Sequence, residues 1–251
     1  METHPVARPP VLSADEKTLR AVEYYGRERV RGLDGGLADP HVTLAYWRLR
    51  MLLSYRIRRA FDCVTASMAL VIAAPVMLLT VIAIRLDSPG PIIFRQTRVG
   101  KQGKPFTLYK FRSMSDDAEA RKAELRAQNE ADGPLFKMKK DPRVTRVGYV
   151  IRKLSIDELP QLFNVLQGDM SMVGPRPPVP DEVAAYQIDH LRRLEVVPGI
   201  TGLAQIEGRS NLDFETWVAL DRQYIAEQSL RQDLIILLKT IPAVIFGRGA
   251  Y

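Results

Sequence analysis

Cysteine is almost missing: Cys63 is the only one in 251 residues. That excludes an internal disulfide and a thiolate metal site. Histidine is scarce too, and His4, His41 and His190 stand far apart with no ligand spacing. The Met1-Glu2-Thr3-His4-Pro5 start has no basic run ahead of an apolar one, so no cleavable signal peptide is expected. No repeat occurs at solenoid periods. Positive charge, by contrast, is plentiful. The net charge is +7 and the pI about 9.6, which calls for an anionic partner. The basic residues form no nucleic-acid stripe. Many flank an apolar segment, which favours phosphates and lipid headgroups over nucleic acid.

The chain is long enough for one sizeable domain plus appendages. Residues 1–41 read as an extension. A proline-rich, polar start leads into a helix over Asp15 to Val30, opened by the capping pattern Ser13-x-x-Glu16 and ended by Gly32, Gly35 and Gly36. Residues 42–86 read as a membrane-associated part. Val42 to Ala60 mixes Tyr46, Trp47 and Tyr55 with Arg48, Arg50, Arg56, Arg58 and Arg59, a composition suited to a bilayer interface or to an amphipathic helix on a core. Cys63 to Ile84 then carries no charge over 22 residues, enough to cross a bilayer. Pro75 lies in its middle and both flanks are basic. A helix that enters, breaks at Pro75 and returns would keep both flanks on the cytoplasmic side. A true span and a buried soluble helix are the alternatives.

Residues 87–251 read as a cytosolic domain. Ile92 to Phe94 and Phe106 to Arg112 suggest a hairpin, with Lys110 and Arg112 on one face. Residues 116–131 read as a charged helix. Asp181 to Glu195, Phe214 to Ser229 and Asp233 to Phe246 read as further helices, the last interfacial. The predicted fold class is α+β: mostly helical, with a short sheet, a proline-broken re-entrant helix and interfacial amphipathic helices.

The chemistry points to Asp157 and Glu158. Ser155-x-x-Glu158 is a capping pattern, so both acids are expected in the first turn of a helix. There they could simply complement the helix dipole. They could equally meet a phosphate drawn to the helix terminus, with Mg²⁺ neutralising the repulsion. An aspartate can also attack phosphorus. Downstream, Pro175 and Pro177 stiffen the backbone around Arg176, whose guanidinium could grip a phosphate with two hydrogen bonds or could be a plain surface arginine.

Taken together, ArgArgAlaPheAsp (58–62), the proline-interrupted apolar segment, TyrLysPheArgSerMet (109–114), AspGluLeuProGlnLeuPheAsnValLeu (157–166), GlyAspMetSerMetValGlyProArgPro (168–177) and ProGlyIleThrGlyLeuAlaGlnIle (198–206) resemble the bacterial sugar transferases. These are monotopic phosphoglycosyl transferases acting on polyprenyl phosphate. The resemblance runs from about residue 50 to 247. It implies that Asp157 attacks the β-phosphate of a UDP-sugar, expels UMP and passes the sugar phosphate to undecaprenyl phosphate. It further implies that Glu158 is the second acid and that the pair is associated with Mg²⁺. Arg176, Arg152, Lys110 and Arg112 match basic motif positions near phosphate, and Arg209 a contact near the nucleotide. The compact form resembles exopolysaccharide-initiating hexose-1-phosphate transferases, implying UDP-glucose or UDP-galactose and an inner-membrane location with a cytoplasmic active site. Homo-oligomerisation is left open. One departure stands out: the break carries Ala74-Pro75 where well-described members have Ser-Pro. The rival readings are a non-catalytic membrane scaffold and a single-displacement transferase in which Asp157 only holds Mg²⁺.

Overall fold

The computed structural model describes residues 40–121, 140–208 and 212–245, with 124–125, 129–130, 133–134, 136 and 138 of the intervening stretch. The helix expected over Asp15 to Val30 lies outside the described residues. The chain divides into two compact units, residues 1–52 and 53–251. Of the first, the helical backbone from residue 40 onward is described. The described part of the second is mostly helical, with two small two-stranded sheets.

The arginine-rich and apolar stretches form a single helix, α1 (Pro40–Asp87). Within it Leu53–Asp87 is long and apolar enough to cross a membrane. At about 1.5 Å per residue such a stretch exceeds the roughly 30 Å hydrocarbon core. The expected break at Pro75 is not an interruption: Pro75 sits inside the helix. One missing N–H removes one bond, and the apolar residues on either side carry the helix onward. Two stretches of α1 pack on the domain, one on each side of Pro75. Ala66 joins Leu108, Leu162, Val165 and Met170, with Ala69 and Leu70 beside them. Ile84 joins Phe111 and Ile151, with Met77 and Val81 alongside. Val71 and Ile72 between them are exposed, as are Leu78 and Leu79 on the outer side of the second stretch. Arg58 and Arg59, read from the sequence as headgroup partners, turn to protein instead. Arg58 pairs with Asp233 at 3.2 Å, and Arg59 donates to the carbonyls of Val165 and Leu166.

The hairpin is present, with longer strands than Ile92 to Phe94 alone suggested. β1 (Ile93–Val99) runs antiparallel to β2 (Pro105–Phe111), with Ile93 opposite Phe111 and Phe94 opposite Lys110. The expected 116–131 helix is reduced, among the described residues, to the single turn α2 (Ala118–Arg121). Asp117 and Arg121 do pair at i,i+4, at 3.8 Å, but both are exposed, so solvent screens the pair and it adds little. α3 (Arg146–Lys153) is capped by Thr145, whose hydroxyl accepts from the Gly148 N–H at 2.9 Å.

The two acids are not in the first turn of an α-helix as expected. Ser155 adopts a left-handed conformation (φ 54°) and makes no side-chain cap. Ile156–Glu158 is a 3₁₀ turn, and α4 (Gln161–Gln167) begins only after Pro160. Pro160 has no N–H to give, so it suits the threshold of the helix and not its interior. Inside α4, Asn164 is fully buried. Its side chain accepts from the Tyr109 N–H and donates to the Thr107 carbonyl, fastening α4 to β2.

β3 (Ser171–Val173) pairs parallel with β4 (Gly199–Thr201). The two chains approach so closely that a Cβ at Gly199 would lie 2.0 Å from the Gly174 nitrogen. The helix expected over Asp181 to Glu195 is split into α5 (Pro180–Ala184) and a 3₁₀ stretch, Ile188–Leu194. The split buries His190 and Arg193, which one continuous amphipathic helix with an acidic-basic face would not. α6 (Leu203–Glu207) follows β4. α7 (Phe214–Glu227) and α8 (Leu230–Ile245) match expectation closely. They close a cluster of Val173, Tyr224 and Ile236 behind β3.

Candidate active site

The period-two rule places Phe94, Gln96, Arg98, Lys110 and Arg112 on one face of the hairpin. All five line a cleft of about 880 Å³, within the range of small-molecule sites. The 3₁₀ turn delivers Asp157 and Glu158 to the same cleft, and α3 and the loop after β3 add Arg152 and Arg176. Thus residues from four separate elements converge, and Asp157, Glu158, Lys110, Arg152 and Arg176 line one cleft. Arg209 lies outside the described residues.

Asp157 is buried, while the Glu158 side chain is about a third exposed. Lys110 Nζ lies 2.7 Å from Glu158 Oε1 and 3.8 Å from Asp157 Oδ2, so one cation serves both acids. Burial pushes the Asp157 carboxyl up to about 6. Lys110 and Arg152 act against that rise, and the Glu158 charge adds to it. A carboxylate held out of water beside cations is less solvated than an exposed one and more ready to bond an electrophile.

Arg176 is fixed more firmly than its two prolines alone could manage. The Gly199 N–H donates to the Pro175 carbonyl, the Gly174 N–H to the Thr201 carbonyl, and the Val99 N–H to the Pro178 carbonyl. Arg193, itself in a buried 2.7 Å pair with Asp221, reaches the Arg176 carbonyl. The Arg176 guanidinium rests 3.4 Å from the buried Glu182 carboxylate.

Arg112 corrects the sequence reading. It lines the cleft, but its terminal nitrogens are turned to the backbone, donating to the carbonyls of Ser88 and Pro89 and to the Ser88 hydroxyl at 2.6 to 2.9 Å. It is 5% exposed. Its work is to hold the turn that follows α1, because a strand end facing a proline-rich turn leaves carbonyls in need of donors. Residues the sequence reading passed over are Arg98 and Glu182, both buried in the cleft wall. The hairpin parity that grouped Lys110 with Arg112 also groups Arg98 with them. Glu182 carried no such signal, since acids near a helix start are ordinary.

For a divalent cation, no group of three His, Cys, Asp or Glu side chains occurs among the described residues. Asp157 and Glu158 nonetheless fit Mg²⁺, which takes one or two carboxylates and leaves its other positions to water and substrate phosphates.

A half-hidden acid pair, a shared lysine and a backbone-anchored arginine make a site for phosphorylated ligands, on a domain carrying a long apolar helix. The chain belongs to the bacterial sugar transferase family, which it matches over residues 53–247. It is 45% identical over 226 residues to the galactosyl transferase CpsE of Streptococcus agalactiae, covering 90% of this chain and 49% of that protein. It is 46% identical over 202 residues to the undecaprenyl-phosphate galactose phosphotransferase of Salmonella typhimurium, covering 78% and 42%. With the exopolysaccharide production protein ExoY of Rhizobium meliloti the identity is 42% over 198 residues, covering 77% and 88%. The chain therefore spans less than half the length of the first two relatives and most of the length of the third.

Proposed function

We propose that this protein is an undecaprenyl-phosphate sugar phosphotransferase that starts exopolysaccharide synthesis. It takes a sugar 1-phosphate from UDP-galactose or UDP-glucose and releases UMP. The observation that carries the reading is the buried Asp157 beside Glu158 and Lys110, in one cleft with Arg152 and Arg176, in a chain of this family. The relatives' names, galactose phosphotransferase and exopolysaccharide protein among them, support the substrate class.

In the first step an Asp157 carboxylate oxygen attacks the β-phosphorus. The bond from that phosphorus to the bridging oxygen breaks, and its electron pair leaves on UMP. The enzyme holds a sugar-phosphoryl-aspartate. In the second step an oxygen of undecaprenyl phosphate attacks the same phosphorus. Asp157 departs as a carboxylate, and the product is an undecaprenyl diphosphate sugar. Lys110 and Arg176 offset the charge on the phosphate oxygens, and burial keeps competing water away. Mg²⁺, held by Asp157 and Glu158 when bound, would supply further neutralisation of the diphosphate.

The lipid acceptor places the site at the membrane. The exposed apolar residues Val71, Ile72, Leu78 and Leu79 of α1, and Leu234, Ile235, Leu238 and Ile241 on α8, support seating on a bilayer. Contact of α1 with the domain on both sides of Pro75, along a helix that continues through the proline, supports a helix held against the domain at the cytoplasmic face of the inner membrane and not one that turns back at Pro75. Cysteine labelling from either side tests this, and an outward-facing residue 53 would count against it.

The test of the chemistry is trapping. Incubation with a UDP-sugar and no lipid acceptor should give an intact-mass increase of one sugar phosphate, localised to Asp157 and absent in Asp157→Asn. UMP release with no adduct would favour a single displacement. A silent protein with every UDP-sugar would favour a scaffold.

A further inference from the structure

Arg98 is 8% exposed, lies on the cleft face of β1, and has no place in the chemistry above. A guanidinium has five N–H bonds. In Arg98 three are engaged: Nε and Nη2 donate to Gln96 Oε1 at 3.0 and 2.6 Å, and Nη1 donates to the Pro177 carbonyl at 2.8 Å. One hydrogen is left on each terminal nitrogen, which is the pair that grips a phosphate end-on. No partner for that pair occurs among the described residues.

The use of the terminal nitrogens separates Arg98 from the other buried arginines of the cleft. Arg143 is neutralised by Asp141 at 2.7 Å, and Arg112 spends its terminal nitrogens on residues 88 and 89. The Arg98 side-chain partner, Gln96, is an uncharged amide. Of the carboxylates that act on it through space, Glu182, Glu158 and Glu119, the first is paired with Arg176 and the second with Lys110, and none makes a hydrogen bond to Arg98 among the described residues. Burial, and after it the neighbouring Arg176 charge, lower the Arg98 guanidinium to about 9, against the opposing pull of Glu182, Glu158 and Glu119.

We propose that Arg98 and Arg176 bind the phosphate that departs with the nucleoside, with Arg98 directed at the leaving monophosphate and Lys110 at the phosphate that is transferred. The assignment rests on the reading of the site as a nucleoside-diphosphate-sugar site. As the bond to the bridging oxygen breaks, negative charge collects on that oxygen. Arg98 meets it with hydrogen bonds and gives up no proton. Because Arg98 also carries the Pro177 carbonyl, it sets the height of the Arg176 loop on the same phosphate.

The experiment uses the full chain in lipid nanodiscs and measures binding of UMP and of uridine by calorimetry, alongside UMP release from UDP-sugars. Arg98→Gln should weaken UMP about ten- to a hundredfold, the span of one bidentate charge-assisted contact, and leave uridine unchanged. Arg98→Lys should fall between. Gln96→Glu keeps the acceptor and cancels the charge, so it should weaken UMP in the same direction. It decides the matter alone if Arg98→Gln does not fold. Wild-type UMP affinity in a folded Arg98→Gln protein, or in Gln96→Glu, overturns the proposal, as does a wild-type protein that binds no UMP. Arg98-dependent UMP binding with no turnover of any UDP-sugar would leave the subsite standing and remove the transfer reaction instead.

Discussion

Replacing Lys110 by methionine keeps most of the side-chain volume and deletes a cation that both acids share. Its Nζ stands 3.8 Å from Asp157 Oδ2. At that separation and an effective dielectric constant of about 20, the attraction is about 4 kcal/mol, or roughly three pKa units as an upper bound. The Lys110 side chain is 24% exposed and closer to Glu158, so solvent and sharing reduce the effect on Asp157 to about one unit. The sign follows from the chemistry. Asp157 attacks only as a carboxylate, and its carboxyl already sits at about 6. In the metal-free site the acidic limb of wild-type UMP release should be centred near pH 6, above the usual aspartate range near 4, and Mg²⁺ bound at Asp157 would draw it lower in wild type and variant alike. Without Lys110 the proton is held more tightly, so the limb should move up toward about 7. The assay is UMP release in the first turnover, without lipid acceptor, from pH 5 to 9 at fixed magnesium. A limb that stays in place or moves to lower pH in Lys110→Met would refute the claim that this lysine holds Asp157 in its charged form.

Other outcomes follow from the same contacts. Arg176→Ala should raise the KM for the UDP-sugar about tenfold or more with little change in Tm, since its guanidinium is about a third exposed and, among the described residues, meets only Glu182, at the edge of hydrogen-bond range. Arg112→Lys should do the reverse, lowering Tm by loosening the turn after α1 while the KM of the folded fraction holds. Gly90→Ala should destabilise by about 1–3 kcal/mol in thermal melts, because Gly90 has φ +116° and a Cβ there would lie 2.1 Å from Arg112 Nη1. An unchanged melt would mean that the Arg112 anchor is dispensable. Ile72→Asp, at a position 75% exposed, should release protein from membranes on fractionation, with about 3 kcal/mol set against insertion. Full retention would speak against burial of that stretch in lipid.

Several features were legible in the sequence for direct physical reasons. A run of 22 uncharged residues declares a long apolar helix whatever surrounds it. Strict alternation declared the hairpin and put Lys110 and Arg112 on one face. The spacing of α7 and α8 was read to within a few residues, because two long amphipathic patterns outweigh local ambiguity. The acid pair and the proline-flanked arginine stood out as unusual neighbours, and the cleft does gather them.

Other features were decided only in three dimensions. Ser155 has the composition of a helix cap, yet it turns left-handed, and Pro160 moves the helix start beyond both acids. Local propensity yields there because the turn must deliver Asp157 into the cleft and Leu162 into the core. Arg98, Arg112 and Arg143 are alike on paper; an uncharged amide, two carbonyls or a carboxylate beside each sets its charge and its use. The burial that lifts Asp157 to about 6 likewise comes from residues distant in the chain. Sequence by itself determined the long apolar helix, the hairpin and the two C-terminal helices, since periodicity and turn chemistry are local. Which charges are cancelled and which are left for a ligand belongs to the tertiary structure, because electrostatic balance depends on neighbours that only folding brings together.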